Sequence, residues 1–361
     1  MATAETPILL MPPRADIRPH KTEIHGHTLV DDYAWLKAEN WKEVLKDGDK
    51  LPREIRDLLE AENAYSAAMM RDAEPLCRTL VAEMRGRIKE DDSTVPAPDG
   101  PFAYFTRYRD GGQHPLMCRR PRDGGKDAIL LDGDKEAEGT AYFDLAGTAH
   151  SPDHRRLAWG ADITGSELHT IRVRDLATGA DLEDSIAATT GDVVWMGDSS
   201  GFYYVEVDDN HRPVRVRRHI LGTPSSEDAL IYEEPDQGWF VDIDETTSGA
   251  FVTISVSDHE TSEVRLLDRH DPNAEPRLVA ARTPLLIYDV EHHGENLIIR
   301  TNAHGAEDFK LVTAPVASPG RENWRDLVPY RPGIMILFHL PLARHLIRLE
   351  REDANPRIVV R

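Results

Sequence analysis

Apolar residues in this chain keep two different periods, and the change falls near Asp92. From Pro52 onward Ile55, Leu58, Leu59, Tyr65 and Met69 recur at i, i+3 and i+4 spacing, with Glu62 on the same line. That spacing predicts a helix with Pro52 in its first turn. A second helix is expected after Pro75, carried by Leu76, Leu80, Val81 and Met84 and ending in the charged run Arg85 to Asp92. Residues 1 to about 48 read as irregular, because Pro7, Pro12, Pro13 and Pro19 interrupt any element and His25-Gly26-His27 marks a turn. Asp31-Asp32-Tyr33-Ala34-Trp35-Leu36 is a compact acidic and aromatic knot that starts a short helix, with Asp31 or Asp32 as its N-cap.

After Asp92 the helical period is gone. Pro96-Ala97-Pro98-Asp99-Gly100 is a turn cluster, and Phe102 to Tyr108 is aromatic enough for a strand. The best-formed module is Ser151 to Leu182. It opens on a Ser-Pro-Asp turn, runs through Arg156 to Trp159, alternates from Glu167 to Asp175, and turns back at Asp175 to Gly179. A turn followed by a leading apolar strand recurs at Gly100, His154, Gly201, Gly249 and Gly294, an interval of about 45 to 54 residues. The leading strands are Phe102–Tyr104, Leu157–Trp159, Phe202–Val205, Phe251–Ile254 and Leu297–Arg300, with second strands such as Glu263–Leu267 and Phe309–Val312. Leu346–Leu349 and Arg357–Val360 begin a sixth unit before Arg361. A β-sandwich with irregular loops is the competing reading. The near-constant interval without intervening helices favours β-propeller blades, small twisted sheets that find a core only by stacking on one another.

Composition narrows the function classes. The chain has 361 residues, 40% hydrophobic and 30% charged, which describes a globular protein. No apolar run approaches the roughly 20 residues of a membrane helix, and Ile8-Leu9-Leu10-Met11 is too short for a signal-peptide core. Cys77 and Cys118 offer neither a disulfide framework nor zinc spacing, which fits a reducing cytoplasm. A formal charge of -21 argues against nucleic acid and anionic membranes as partners. It would attract a cationic peptide, but the favoured reading of the charge alone is that it keeps a large protein soluble.

Candidate chemistry is sparse. Gly197-Asp198-Ser199-Ser200-Gly201 fits G-x-S-x-G, the nucleophile-elbow pattern, but an elbow runs from strand into helix. Here Val193-Val194-Trp195 leads in and the strand-like Phe202-Tyr203-Tyr204-Val205 leads out, so Ser199 is expected in a hairpin turn. His25-Gly26-His27 and His292-His293 lie in turns without a third ligand at useful spacing. Asp91-Asp92 and Asp208-Asp209 lack the Gly and Glu positions of calcium loops. No Gly-rich phosphate loop is present, and acid–base carboxylates cannot be singled out among 64 acidic residues. No catalytic, cofactor-binding or metal-binding residue is assigned.

Taken in order, these stretches resemble the prolyl oligopeptidase family of serine peptidases, most closely its oligopeptidase B branch. The matching residues are Pro12-Pro13, His25-Gly26, Asp31 to Leu36, Glu60 to Tyr65 and Glu83 to Pro96. Further on they are Ser151-Pro152-Asp153, Gly165 to Leu168, Val194-Trp195, Arg217-Arg218-His219, Tyr232-Glu233-Glu234, Thr261-Ser262-Glu263, Thr301-Asn302 and Phe309-Lys310-Leu311. The segment from Ile334 to His345 fits the family less well.

The resemblance implies an N-terminal extension that docks on a hydrolase domain, here residues 1–92, and a β-propeller, here 93–361. It implies seven blades in the family, of which about five to six are expected here, and an α/β-hydrolase domain that is absent from this stretch. The triad Ser, Asp and His would lie beyond Arg361. The implied activity is a serine endopeptidase cutting short peptides after Arg or Lys, with the propeller as size filter. On this reading the chain lacks the triad, is inactive alone, and has short basic peptides and a separately encoded hydrolase domain as partners. A stand-alone, non-catalytic propeller scaffold is the alternative. The N-terminal knot and helices, which a scaffold has no need of, favour the peptidase.

Overall fold

The helical period and the strand period both appear where the sequence places them, with differences at the start. The computed structural model describes residues 11–361, so Pro7 and the Ile8-Leu9-Leu10 run lie outside the described residues. The chain forms two compact units, Met1–Asp127 and Ala128–Arg361.

In the first unit, β1 (His20–Ile24) and β2 (His27–Asp31) form an antiparallel hairpin. Positive φ at His25 and Gly26 gives the tight turn such a hairpin needs. The sequence expectation of irregular chain up to about residue 48 is therefore corrected. Strands as polar as these carry little hydrophobic alternation, and only the turn betrays them. A further short helix, α1 (Trp41–Lys46), also falls in this stretch; Trp41, Val44 and Leu45 have helical spacing, but over a single turn and a half.

The acidic knot does become a short helix, a single 3-10 turn at Ala34–Leu36, but its N-cap is Tyr33, without a side-chain cap bond, and not Asp31 or Asp32. The Asp31 carboxylate instead accepts from the Tyr33 N–H at 2.8 Å, ahead of the helix. The two longer helices are α2 (Arg53–Met70), which starts directly after Pro52, and α3 (Glu74–Arg85), with Pro75 in its first turn. Of the α2 apolar face only Ile55 is buried; Leu59 and Met69, and Leu76, Leu80, Val81 and Met84 of α3, are exposed. The unit ends in a meander of β3 (Ala97–Asp99), β4 (Phe102–Arg107) and β5 (Leu116–Pro121), closed around Phe105, Leu116 and Cys118.

The second unit opens with β6 (Ala128–Asp132) and the one-turn helix α4 (Gly133–Glu136). A seven-stranded sheet follows in chain order: β7 (Asp144–His150), β8 (Arg156–Asp162), β9 (His169–Asp175), β10 (Asp181–Trp195), β11 (Gly201–Val207), β12 (Pro213–Ile220) and β13 (Ala229–Glu233). A four-stranded sheet comes next: β14 (Phe240–Glu245), β15 (Phe251–Ser257), β16 (Ser262–Asp268) and β17 (Arg277–Ala280). Another has β18 (Tyr288–His293), β19 (Asn296–Thr301), β20 (Lys310–Pro315) and β21 (Arg325–Val328). The last is three-stranded, with β22 (Ile334–Pro341), β23 (Leu346–Glu352) and β24 (Asn355–Val360). The segment from Ile334 to His345 thus contains a regular strand in register with β23.

All these sheets are antiparallel meanders, which is what propeller blades are. The seven-stranded sheet is two blades that share β10. The first part of β10 pairs with β9, its last residues pair with β11, and the register shifts between Thr189 and Val193. The repeated turn read from the sequence is the hairpin between the first and second strands of a blade. Each "leading" strand is therefore the second one. At Ser151 that turn is closed by the Arg156 N–H donating to Ser151 Oγ at 3.0 Å and the Ser151 N–H donating to the Arg156 carbonyl at 2.9 Å. Thr246 repeats both contacts with Phe251, at 3.1 and 3.0 Å.

Aliphatic rows fill the spaces between successive sheets. Val205, Val216, Val241, Ile254 and Leu267 join the blades of β11 and β15, and Val264, Leu266, Leu297, Ile299 and Val312 join those of β16 and β19. At about 1.5–3 kcal/mol for each fully buried aliphatic side chain, this stacking is the main source of cohesion.

Candidate functional site

The hub of the second unit is where its first strands meet. β7 lies against β10, β10 against β14, and β18 against β22. These strands carry Asp144, Asp192, Asp242, Asp244, Glu245, Asp289 and Glu291, and no Lys or Arg. The strands outside them carry Arg156, Arg172, Arg174, Arg215, Arg217, Arg218, Arg265 and Arg300 alongside acids such as Asp162, Asp175, Glu263 and Asp268. Acid is found in both places, and the cations are kept off the first strands.

Part of this acid is structural. Asp289 pairs with Arg300 at 2.6 Å and faces His339 Nδ1 at 3.4 Å, tying the last two sheets. Glu291 accepts from the Thr247 N–H and hydroxyl, both at 2.9 Å, across the preceding seam. Glu245 pairs with Arg269, and Asp144 with His169 Nε2 at 3.2 Å.

Asp192, Asp242 and Asp244 differ: all three are open to water. Burial pushes the Asp192 carboxyl above the usual carboxylate range and the Asp244 charge adds to this, while His169 acts in the opposite sense. Burial likewise raises Asp242; Asp192 and Asp244 reinforce the rise, and a hydrogen bond from the Ile243 N–H opposes it. Carboxyls that water reaches but protein surrounds, each repelled by the next, make a confined acidic space suited to a cation.

The residues singled out in the sequence lie elsewhere. Ser199 sits in the hairpin turn between β10 and β11, with φ 61° and only 3% exposure. Its Oγ accepts from the Asp153 N–H at 3.1 Å, and strand β11 follows where an elbow would need a helix. The turn has the left-handed backbone of an elbow without its architecture. His292 is held by Ser248 Oγ at 2.7 Å and the Gly294 carbonyl at 2.6 Å, while His25 forms the exposed β1–β2 turn. Asp208 closes the β11–β12 turn by accepting from the Asn210 and Arg212 N–H groups at 2.8 and 3.0 Å. Sequence reasoning missed the hub carboxylates. The signal was present: counting charge strand by strand separates acidic first strands from arginine-bearing ones.

Residues 12–361 match the prolyl oligopeptidase N-terminal beta-propeller domain. The chain belongs to the prolyl oligopeptidase family. Dipeptidyl aminopeptidase BI of Pseudoxanthomonas mexicana is 33% identical over 343 residues, which is 90% of this chain and 46% of that protein. Protease 2 of Moraxella lacunata is 31% identical over 336 residues, covering 88% and 47%. The solved oligopeptidase B of Leishmania major superposes with a TM-score of 0.88 at 27% identity, covering 97% of this chain and 50% of that one. Oligopeptidase B of Trypanosoma brucei, solved in a closed form with covalently bound antipain, gives 0.86 at 27% identity, covering 97% and 51%. The chain thus spans about half the length of the relatives it matches. The family membership accounts for the mainly β blade fold and for the helices that precede it.

Proposed function

We propose that these residues are the N-terminal and propeller part of an oligopeptidase B-like serine endopeptidase that hydrolyses short peptides after Arg or Lys. The propeller acts as size filter, and its acidic hub favours cationic chains. The carrying observation is the sorting of charge. Asp192, Asp242 and Asp244 crowd the hub without a Lys or Arg on any first strand of the second unit.

Catalysis is assigned to a hydrolase domain outside these 361 residues, encoded with them or separately, and no catalytic, cofactor or metal residue is assigned within them. Residues 1–92 form the extension that docks on that domain, and 93–361 the propeller. Support for docking comes from the exposed apolar residues of α2 and α3, which include Leu59, Met69, Leu76, Leu80 and Met84. A reducing cytoplasmic setting suits Cys77 and Cys118, neither of which is in a disulfide. Among the described residues no helix is long and apolar enough to cross a membrane.

The test is calorimetric titration of the chain with a tri-lysine peptide and with a tri-glutamate peptide, in low and high salt. The cationic peptide should bind, with affinity falling as salt rises, and the anionic one should not. Equal binding of both, or cationic binding unchanged by Asp192→Asn with Asp242→Asn, would overturn the charge assignment. A neutral scaffold function predicts that indifference.

A further inference from the structure

The β10 strand carries a sharp kink, and a buried polar clamp spans it. Ala188 and Gly191 both have positive φ, 57° and 93°, within the segment where the register shifts. The kink is jammed on its inner side. A Cβ on Gly191 would lie 2.4 Å from the Ala146 Cβ and 3.1 Å from the His169 Cβ, and one on Gly160 would lie 2.5 Å from the Gly191 Cα. Thr189 Oγ1 donates to the His169 carbonyl at 3.0 Å and accepts from the Gly191 N–H at 3.1 Å.

On its other side the two halves are joined through His219 of β12. His219 Nε2 faces Asp184 Oδ1, before the kink, at 2.9 Å, and Nδ1 faces Asp228 Oδ1, in the turn that leads into β13, at 2.8 Å. Asp184 also accepts from the Gly222 N–H at 2.6 Å, and Asp228 from the Tyr204 hydroxyl at 2.8 Å. The His219 side chain is 1% exposed, and those of Asp184 and Asp228 are 5% and 0%. Each ring nitrogen meets a carboxylate oxygen within hydrogen-bond distance, so the imidazole links the two acids from both of its edges.

We propose that the Asp184–His219–Asp228 clamp fixes the angle of the β10 kink and thereby the place of Asp192 in the hub. Asp192 lies one residue beyond Gly191, so any swing about Ala188–Gly191 moves its carboxylate. The clamp is the outer brace of that bend and the glycine contact its inner stop. Asp184 and His219 are positioning residues: they touch no peptide and act through Asp192. The functional half of the proposal rests on the acidic hub as a cation filter; the mechanical half does not.

The test is amide hydrogen exchange on the whole chain, comparing Asp184→Asn with Tyr204→Phe. Asp184→Asn weakens the link across the kink, whereas Tyr204→Phe removes a bond to Asp228 without crossing it. Asp184→Asn should speed exchange at Ser185–Thr189 and Val193–Trp195 at least tenfold while leaving Val252–Val256 unchanged. Tyr204→Phe should show no such local pattern. In the unaltered chain under mild denaturant, Ser185–Thr189 and Phe202–Val205 should open together. Separate opening, or an Asp184→Asn effect that is absent or spread evenly over all sheets, overturns the clamp. Titration with tri-lysine then separates the two halves. Several-fold weaker binding in Asp184→Asn supports positioning of Asp192. No binding even in the unaltered chain sinks the filter reading and leaves exchange to decide the clamp.

Discussion

Tyr288 offers the most exacting test of how the blades hold together, because one hydroxyl replaces a piece of sheet ladder. It lies on β18, and its hydroxyl donates to the Ala280 carbonyl at 2.6 Å. The same oxygen accepts from the Val264 N–H at 2.8 Å and the Ala280 N–H at 3.2 Å. Those groups belong to β16 and β17, which pair at Val264 and Ala280 and lose register just beyond. The ring itself packs edge-on against Trp324 at 5.5 Å, inside an aliphatic cluster. Tyr288→Phe keeps that packing and removes only the oxygen. Two buried N–H groups and a carbonyl then lose a partner, at about 1–3 kcal/mol for each group left unsatisfied; partial relaxation puts the expected loss near 3 kcal/mol. Urea unfolding followed by tryptophan fluorescence at neutral pH measures it. A loss below about 0.5 kcal/mol would refute the reasoning.

The same phenol supplies a second, independent reading in alkali. Burial pushes it up to about 12, against the pull of the Val264 and Ala280 N–H groups. In an unfolded chain it ionises near 10. A raised acid of this kind stabilises the fold while protonated. Its contribution is complete below about pH 10 and is lost as pH rises through 12, about 3 kcal/mol in all at 1.36 kcal/mol per tenfold. The stability gap between the unaltered chain and Tyr288→Phe should therefore be flat to about pH 9 and close towards pH 12. A gap that stays constant across that range would show that the hydroxyl is not the buried, bridging group described.

Two further substitutions probe the hub and the serine turn. Asp192→Asn with Asp242→Asn should stabilise the chain at pH 7: both carboxyls are raised in the fold, so stability falls as pH climbs through their folded values. A gain of roughly 0.5–2 kcal/mol in low salt, shrinking in high salt and vanishing in acid, is expected from thermal unfolding across pH, and a loss at neutral pH would contradict the hub electrostatics. Ser199→Ala should cost about 0.5–1.5 kcal/mol through its lost contact with the Asp153 N–H and leave any peptide hydrolysis by the chain unchanged. Turnover of an Arg-amide substrate that disappears in Ser199→Ala would make the turn a catalytic elbow after all.

Much of the fold was legible because it is local. Pro52 and Pro75 punctuate α2 and α3, and the Ser-Pro-Asp and Thr-Thr-Ser-Gly turns fix hairpins within five residues of chain. The first strands of the blades were not legible. In β7 and β10, Gly147 and Gly191 stand where β-branched residues would announce a strand. In β14 and β18 the alternation is present, Val241 and Ile243 with Asp242 and Asp244, and Tyr288 and Val290 with Asp289 and Glu291, but it spans only two apolar positions before the next turn. β10 was hidden for a different reason. Its two halves belong to different blades, and only the single Gly191, with no Pro, Asn or Asp-Gly turn beside it, marks the change. The clamp at Asp184, His219 and Asp228 joins positions that only blade stacking brings together, so no spacing rule could have found it.

The hub and the seams answer one another. Crowding Asp192, Asp242 and Asp244 costs stability at neutral pH, and a structure selected for cohesion alone would have neutral residues there. The opposing contributions lie outside the hub, where charge is paired and buried. Arg282 binds Glu234 at 2.6 Å and stacks on Trp239 at 4.1 Å, and Arg269 reaches the Trp195 carbonyl at 2.7 Å across the neighbouring seam. On the last sheet Glu350, wholly buried, takes Arg348 at 3.0 Å and Arg357 at 3.2 Å. Burial would raise that carboxyl, yet the guanidinium partners outweigh it and hold it below the usual range. Buried acid is thus neutralised at the seams, whereas the water-exposed Asp192, Asp242 and Asp244 of the hub have no salt bridge among the described residues. That contrast is what the proposed filter for cationic chains would use.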